Sequence, residues 1–159
     1  MKLLVTSDTH GYLDGFEEAV KKEKPFDILF HCGDVCGDQD EIQRIAGVPC
    51  YIIAGNNDFW GDLPKEITLN IKGCKIFMTH GHRYGVDYDV TRLWMKGLEK
   101  DAEVVMFGHT HKPVVVENDG VWLINPGSLT YPRTSDRRRS YIVMEIGENS
   151  ELSFEIKYL

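Results

Sequence analysis

The residues that could do chemistry sit in short clusters, each just after an apolar run. Leu3-Leu4-Val5 leads to Asp8 and His10, and Ile28-Leu29-Phe30 leads to His31 and Asp34. Tyr51-Ile52-Ile53 leads to Asn56 and Asp58, and Lys75-Ile76-Phe77-Met78 leads to His80 and His82. Val104-Val105-Met106-Phe107 leads to His109 and His111. All six histidines of the chain belong to this pattern. Asp8 and His10 are two positions apart, so a chain leaving a strand extended turns both side chains to one side, and Gly11 lets the backbone bend away beneath them. A single imidazole is usually a hydrogen-bonded or surface group, and an Asp after a strand is often a helix N-cap. Neither explains the joint pattern. Carboxylate, imidazole and amide donors suit Mn, Fe, Ni, Co or Zn in a catalytic site better than a structural thiolate zinc. Six or seven donors exceed what one ion takes. Two cations sharing a carboxylate, roughly 3.5–4 Å apart, are machinery for in-line displacement at phosphorus.

The elements that must carry these residues follow from periodicity. Leu13, Phe16 and Val20 recur at helical spacing up to Pro25, and a shorter helix capped near Asp40 carries Ile42, Ile45 and Ala46. Three strand–helix units in succession, with polar residues at the carboxyl ends, imply a parallel sheet whose crevices bind ligands. The pattern then changes. Ile67–Ile71 and Lys75–Met78 form a hairpin across Lys72-Gly73-Cys74, and Val90, Leu93, Trp94, Gly97 and Leu98 make a helical core stripe. Val114–Glu117 and Val121–Ile124 flank the turn Asn118-Asp119-Gly120, with Asn125-Pro126-Gly127-Ser128 breaking the second strand. Tyr141–Ile146 and Leu152–Tyr158 read as a final antiparallel pair. These runs point to an α/β chain with two packed sheets and helices outside them, in one domain spanning 1–159.

Composition narrows the function class. With 159 residues, 42% hydrophobic and 27% charged, the chain has an ordinary globular make-up. No stretch is long enough for a membrane span or a secretory signal, which places it in the cytoplasm. Cys32, Cys36, Cys50 and Cys74 form no CxxC pair and are expected as free thiols, with Cys50 and Cys74 in the core. A net charge of −7 argues against nonspecific binding to nucleic acid or an anionic membrane. Arg133 and the run Arg137-Arg138-Arg139 form the basic cluster. Trp60, Tyr84 and Trp94 are candidates to line a pocket, although aromatics more often belong to the core.

Asp8-x-His10, Gly33-Asp34, Gly55-Asn56-x-Asp58, His80-Gly81 and Gly108-His109-x-His111 resemble the linked motifs of calcineurin-like metallophosphoesterases, in order and in spacing, from Ser7 to at least Ser128. Asn125-Pro126-Gly127-Ser128, Pro132-Arg133 and the small size are similar to the compact YfcE-type phosphodiesterases. The resemblance implies a four-layer αββα sandwich, an α/β (α+β type) fold of two mixed sheets flanked by helices. It implies one metal held by Asp8, His10, Asp34 and His111, and a second by Asp34, Asn56, His80 and His109, with Asp34 as bridge. The two divalent ions, manganese first among Mn, Ni, Fe, Co and Zn, would generate hydroxide from a shared water to attack a small or aryl phosphodiester. Catalytic roles fall to Asp34, Asn56, His82 and Arg133, the last reaching the substrate phosphate.

One departure bears on the chemistry. Many members of the wider family have histidine after Gly-Asn, where this chain has Asn57, which cannot donate a proton at a suitable pKa. His82 or a metal-bound water is expected to assist poor leaving groups, and Asp58 is expected to orient a loop or a ligand. A phosphomonoesterase or nucleotidase is the alternative enzyme. A protein-binding scaffold, like the retromer subunit that resembles this fold, is the alternative outside catalysis. The partner is a small-molecule phosphoester, with self-association left open.

Overall fold

The computed structural model describes residues 1–59 and 61–159. The chain runs β1 (Lys2–Thr6), α1 (Asp14–Glu23), β2 (Ile28–His31), α2 (Gln39–Ala46) and β3 (Cys50–Ile52). It continues with β4 (Glu66–Ile71), β5 (Cys74–Thr79), a 3-10 turn at His82–Tyr84, α3 (Thr91–Glu99) and β6 (Val104–Met106). It closes with β7 (Pro113–Asn118), β8 (Val121–Pro126), β9 (Ser140–Ile146) and β10 (Leu152–Tyr158). Two five-stranded sheets form, with orders β10-β9-β1-β2-β3 and β4-β5-β6-β8-β7. Each is mixed: β1, β2 and β3 are mutually parallel while β9 and β10 are antiparallel, and β5, β6 and β8 are parallel with β4 and β7 antiparallel at the edges.

The four layers follow from strand alternation. Leu3 and Val5 of β1, Ile28 and Phe30 of β2, Ile76 and Met78 of β5, and Val104 and Met106 of β6 fill the space between the sheets. Their neighbours point the other way. Leu4 and Leu29 meet Phe16, Ala19, Val20 and Ile42 of α1 and α2, while Phe77 and Val105 meet Leu93 of α3. A strand covered on both faces must be apolar throughout, which is why these runs lack a polar alternation. At the β4–β5 and β7–β8 hairpins the paired turn residues take positive φ, Lys72 with Gly73 and Asp119 with Gly120, as a tight turn matching strand twist requires.

Three expectations are corrected in detail. The third strand is followed by irregular chain over 53–59 and 61–65 rather than a third helix. The residue preceding α2 is Asp38, with Asp40 inside the first turn and no side-chain cap bond. The Asn125-Pro126 pair does not break β8, which runs through Pro126; this residue faces Pro113 on edge strand β7, so the rung lacks N–H groups on both sides and serves as the strand's end. No helix among the described residues is long and apolar enough to cross a membrane.

Candidate metal centre

The carboxyl ends of β1, β2, β5 and β6 lie side by side, so the loops leaving them meet at one end of the sandwich. Those loops turn sharply. Asp8, His10, Asp34, His109 and His111 all have positive φ, between 50° and 68°, a region that costs a non-glycine residue about 1–3 kcal/mol. The strain is held by backbone bonds between loops: Asp8 N–H donates to Gly33 O at 3.0 Å and His10 N–H to Asp34 O at 2.9 Å. Gly33 is required where these loops touch, because at φ +101° a Cβ would fall 2.7 Å from His80 Nδ1 and 2.8 Å from Gly55 N.

The seven residues expected to hold metal form one cluster. Donor atoms of Asp8, His10 and His111 lie within 4.8 Å of one another, as do those of Asp8, Asp34 and His80. Asn56 Oδ1 joins them, 3.1 Å from His80 Nε2 and 2.8 Å from His109 Nδ1. Asp34 Oδ2 lies 3.7 Å from His10 Nε2 and 3.5 Å from His80 Nε2, between the two imidazoles. Asp8 Oδ1 is also close to both, 3.7 Å from His10 Nε2 and 3.9 Å from His80 Nε2.

The imidazoles are turned with their lone pairs inward. His80 Nδ1–H donates to Cys32 O at 2.6 Å and His111 Nδ1–H to Tyr131 O at 2.6 Å, leaving Nε2 of each free. His109 Nε2–H donates to the Asp87 carboxylate at 2.7 Å, leaving Nδ1 free. Such outward partners fix the ring orientation of metal-binding histidines. The clearest fit to a cation is at Asp8. Its Oδ2 accepts from Ser7 Oγ at 2.6 Å and from His109 N–H at 3.1 Å, whereas Oδ1 is buried and accepts no hydrogen bond, although His111 Nε2 lies 3.1 Å away. A fully buried carboxylate oxygen without a donor is costly unless a cation faces it.

Burial works to raise the Asp8 pKa, but the imidazoles of His111 and His80 hold it below the usual carboxylate range. Burial also opposes ionisation of Asp34, and His80 together with the Asn57 N–H groups outweighs it. The same negative field overcomes burial at His80 and raises its pKa. His31 differs from the other five histidines. Gly33 N–H donates to its Nδ1 at 3.3 Å and its Nε2–H reaches Thr9 Oγ1 at 3.2 Å, so neither nitrogen is free, and burial pushes its pKa down to about 4.

The remaining expectations resolve residue by residue. Asp58 orients the loops: Oδ2 accepts from the N–H groups of Asp34 and Gly55 at 2.8 and 2.7 Å, and Oδ1 from Cys36 N–H at 2.7 Å. Asn57 clamps the central carboxylate, its N–H donating to Asp34 Oδ1 at 2.8 Å and its amide to Oδ2 at 2.7 Å. His82 lies at the rim, its ring 5.4 Å from that of His80 and 6.0 Å from that of His109, beside a cavity of about 410 Å³ shared with Asn56, Lys65 and Arg83. Arg133 reaches only the backbone of the cluster: Nη1 lies 3.4 Å from His109 O. All four cysteines are free, and burial raises their pKa values, Cys36 to about 11; among the described residues neither donor group includes a cysteine, and Cys74 is buried and Cys50 half-buried. Tyr84 bonds Glu66 and packs with Trp94 around the α3 core, away from the cluster, and Trp60 lies outside the described residues. Asp87 was missed, since an exposed Asp in Val86-Asp87-Tyr88-Asp89 carries no signal until the fold brings it to His109.

The fold and site define an α/β sandwich of two mixed sheets that carries a nitrogen–oxygen donor cluster able to hold metal at its strand ends. The chain belongs to the calcineurin-like phosphoesterase superfamily, whose domain model matches residues 1–149. It is 33% identical over 147 residues to a "probable metallophosphoesterase" of Bacillus subtilis, covering 92% of this chain and 85% of that protein. It is 32% identical over 145 residues to a phosphodiesterase of Methanocaldococcus jannaschii, covering 80% and 83%. Two solved structures share the fold. One is a "predicted phosphoesterase" of Streptococcus pneumoniae, with TM-score 0.82, 24% identity and 99% and 97% coverage. The other is Vps29 of Entamoeba histolytica complexed with zinc, with TM-score 0.79, 23% identity and 100% and 98% coverage. The family uses divalent metals, and the buried Asp and His clusters could bind them.

Proposed function

We propose that residues 1–159 act as one catalytic domain, a dinuclear metal-dependent phosphodiesterase for small or aryl diesters. Asp8, His10, Asp34 and His111 would hold one divalent ion and Asp34, Asn56, His80 and His109 the other. The observation that carries this reading is the convergence of imidazole lone pairs on the undonated, buried Asp8 Oδ1. When bound, two such ions supply Lewis-acid charge and lower the pKa of water.

The chain's own groups do the rest. Asp58 and Asn57 fix the backbone and side chain of Asp34, so its Oδ2 stays between His10 and His80. Cys32 O, Tyr131 O and Asp87 keep three imidazoles in one tautomer. His82, its ring 5.4 Å from that of His80 and 6.0 Å from that of His109, would be the group to pass a proton to a leaving group, although burial together with the neighbouring His80 and His109 lowers its pKa and so works against its protonated form. The relative named a phosphodiesterase favours the diester over the monoester. The experiment is metal titration followed by turnover of aryl diesters and aryl monoesters with Mn or Ni. The expected result is two ions per chain and faster diester turnover. Faster monoester turnover would make the protein a phosphomonoesterase, and no turnover of either would leave a scaffold.

A further inference from the structure

Beside the cluster lies a cavity of about 390 Å³ walled by Thr130, Tyr131, Pro132, Arg133, Arg137 and Arg139. In a chain of net charge −7 this concentration of guanidinium is unusual. Some of the charge in this segment is already matched: Arg139 pairs with Asp14 at 2.6 Å, and neighbouring Arg138 pairs with Asp136 at 2.7 Å and stacks on Tyr158. Among the described residues, Arg133 and Arg137 have no carboxylate within ion-pair distance. Two exposed guanidinium groups facing one concavity, neither matched by a carboxylate among the described residues, form an anion site in waiting.

The cavity is fastened to the candidate ligands. Ser128 Oγ donates to Asp8 O at 2.8 Å, Thr130 Oγ1 to Thr9 O at 2.9 Å, and Arg133 N–H to His111 O at 3.1 Å. Tyr131 O holds His111, and the Tyr131 ring lies 5.5 Å from that of His10. The order outward from the cluster is therefore His10, an aromatic face half exposed to solvent, and then guanidinium.

Resting on the phosphodiesterase reading above, we propose that this cavity is a subsite for a second anionic group of the substrate. The preferred diester carries a further phosphate on one of its ester groups, with a ring between the two phosphates lying against Tyr131. Arg137 and Arg133 grip the distal phosphate while the scissile one lies at the donor cluster.

The test uses two probes that differ by one phosphate, thymidine 5′-(p-nitrophenyl phosphate) and the same compound phosphorylated at the 3′ oxygen, assayed on the Mn-loaded protein with bis(p-nitrophenyl) phosphate as a reference. The 3′-phosphate is expected to raise kcat/KM roughly ten- to hundred-fold, the scale of one charge-assisted contact. Arg137→Asn, whose side chain tolerates the left-handed backbone at this position (φ 50°), is expected to abolish that ratio. Equal kcat/KM for the two probes, with bis(p-nitrophenyl) phosphate still hydrolysed, overturns the subsite and leaves the phosphodiesterase reading standing. If no diester is hydrolysed, that reading falls, and calorimetry on the Mn-loaded protein decides the subsite alone. Thymidine 3′,5′-bisphosphate binding about tenfold tighter than thymidine 5′-phosphate, lost in Arg137→Asn, supports it. Equal binding overturns it.

Discussion

Strand β1 buries a carboxylate at each of its ends, and the two are treated in opposite ways. At the amino end, Lys2 meets Glu23 of α1. Glu23 Oε1 accepts from the Tyr141 hydroxyl at 2.9 Å, and Oε2 lies 2.9 Å from Lys2 Nζ, with Lys157 Nζ 3.4 Å from Oε1. Each oxygen of this carboxylate has a donor. At the carboxyl end, Asp8 Oδ1 has none, and its nearest neighbours are nitrogens whose hydrogens point elsewhere. The first arrangement is complete in the folded chain, and the second becomes complete only with a cation. Charge buried for stability and charge buried for chemistry can therefore be told apart by whether the protein itself supplies the counter-charge.

The comparison breaks if both ends respond alike to mutation. The largest effect is expected for Asp8→Asn. It should lower kcat/KM by more than about 100-fold, beyond the upper range for an orienting partner, while the melting temperature of the metal-free protein stays level or rises. Steady-state kinetics and calorimetry on the same preparation read both. A chelator should lower the Tm of the metal-loaded wild type, since about 2.7 kcal/mol is withdrawn for ions present at 100 times their Kd, and should shift Asp8→Asn less, because that variant keeps only the donor set of Asp34, Asn56, His80 and His109 intact. Asp87→Ala frees the outer nitrogen of His109 and should cost roughly 10- to 100-fold in metal affinity, read by metal titration.

Glu23→Gln should behave in the opposite way, with turnover unchanged and stability reduced by about 1 kcal/mol, the bonds to ammonium groups being discounted for the partial exposure of Lys2 and Lys157. Burial raises the Glu23 pKa, but Lys2 and Tyr141 outweigh it and hold it below the ordinary 4.5. Its contribution is thus complete above pH 4.5 and is lost as pH falls through the lower folded value, so the stability gap to Glu23→Gln should close in acid. Denaturant titrations at several pH values would show it. His82→Ala is expected to have the smallest effect, a loss confined to diesters with poor leaving groups. Equal loss on good and poor leaving groups would remove His82 from proton transfer.

The sequence alone determined which residues could bind metal and which elements deliver them. Donors placed at strand ends, next to runs apolar on both faces, are a one-dimensional record of a sheet edge where loops must gather. It also determined the paired layers, because alternation and turn chemistry act over a few residues. The tertiary structure decided what depends on contacts between distant segments. His31 obeys the same strand-end pattern as the other histidines, yet Thr9 and Gly33 occupy both its nitrogens. Asn57 looked like the loss of a proton donor and proved to grip Asp34. Asp87, an unremarkable acidic residue in sequence, orients His109 across 22 positions of chain. Hydrogen-bond direction fixes each of these roles, and direction exists only once the loops are folded against one another.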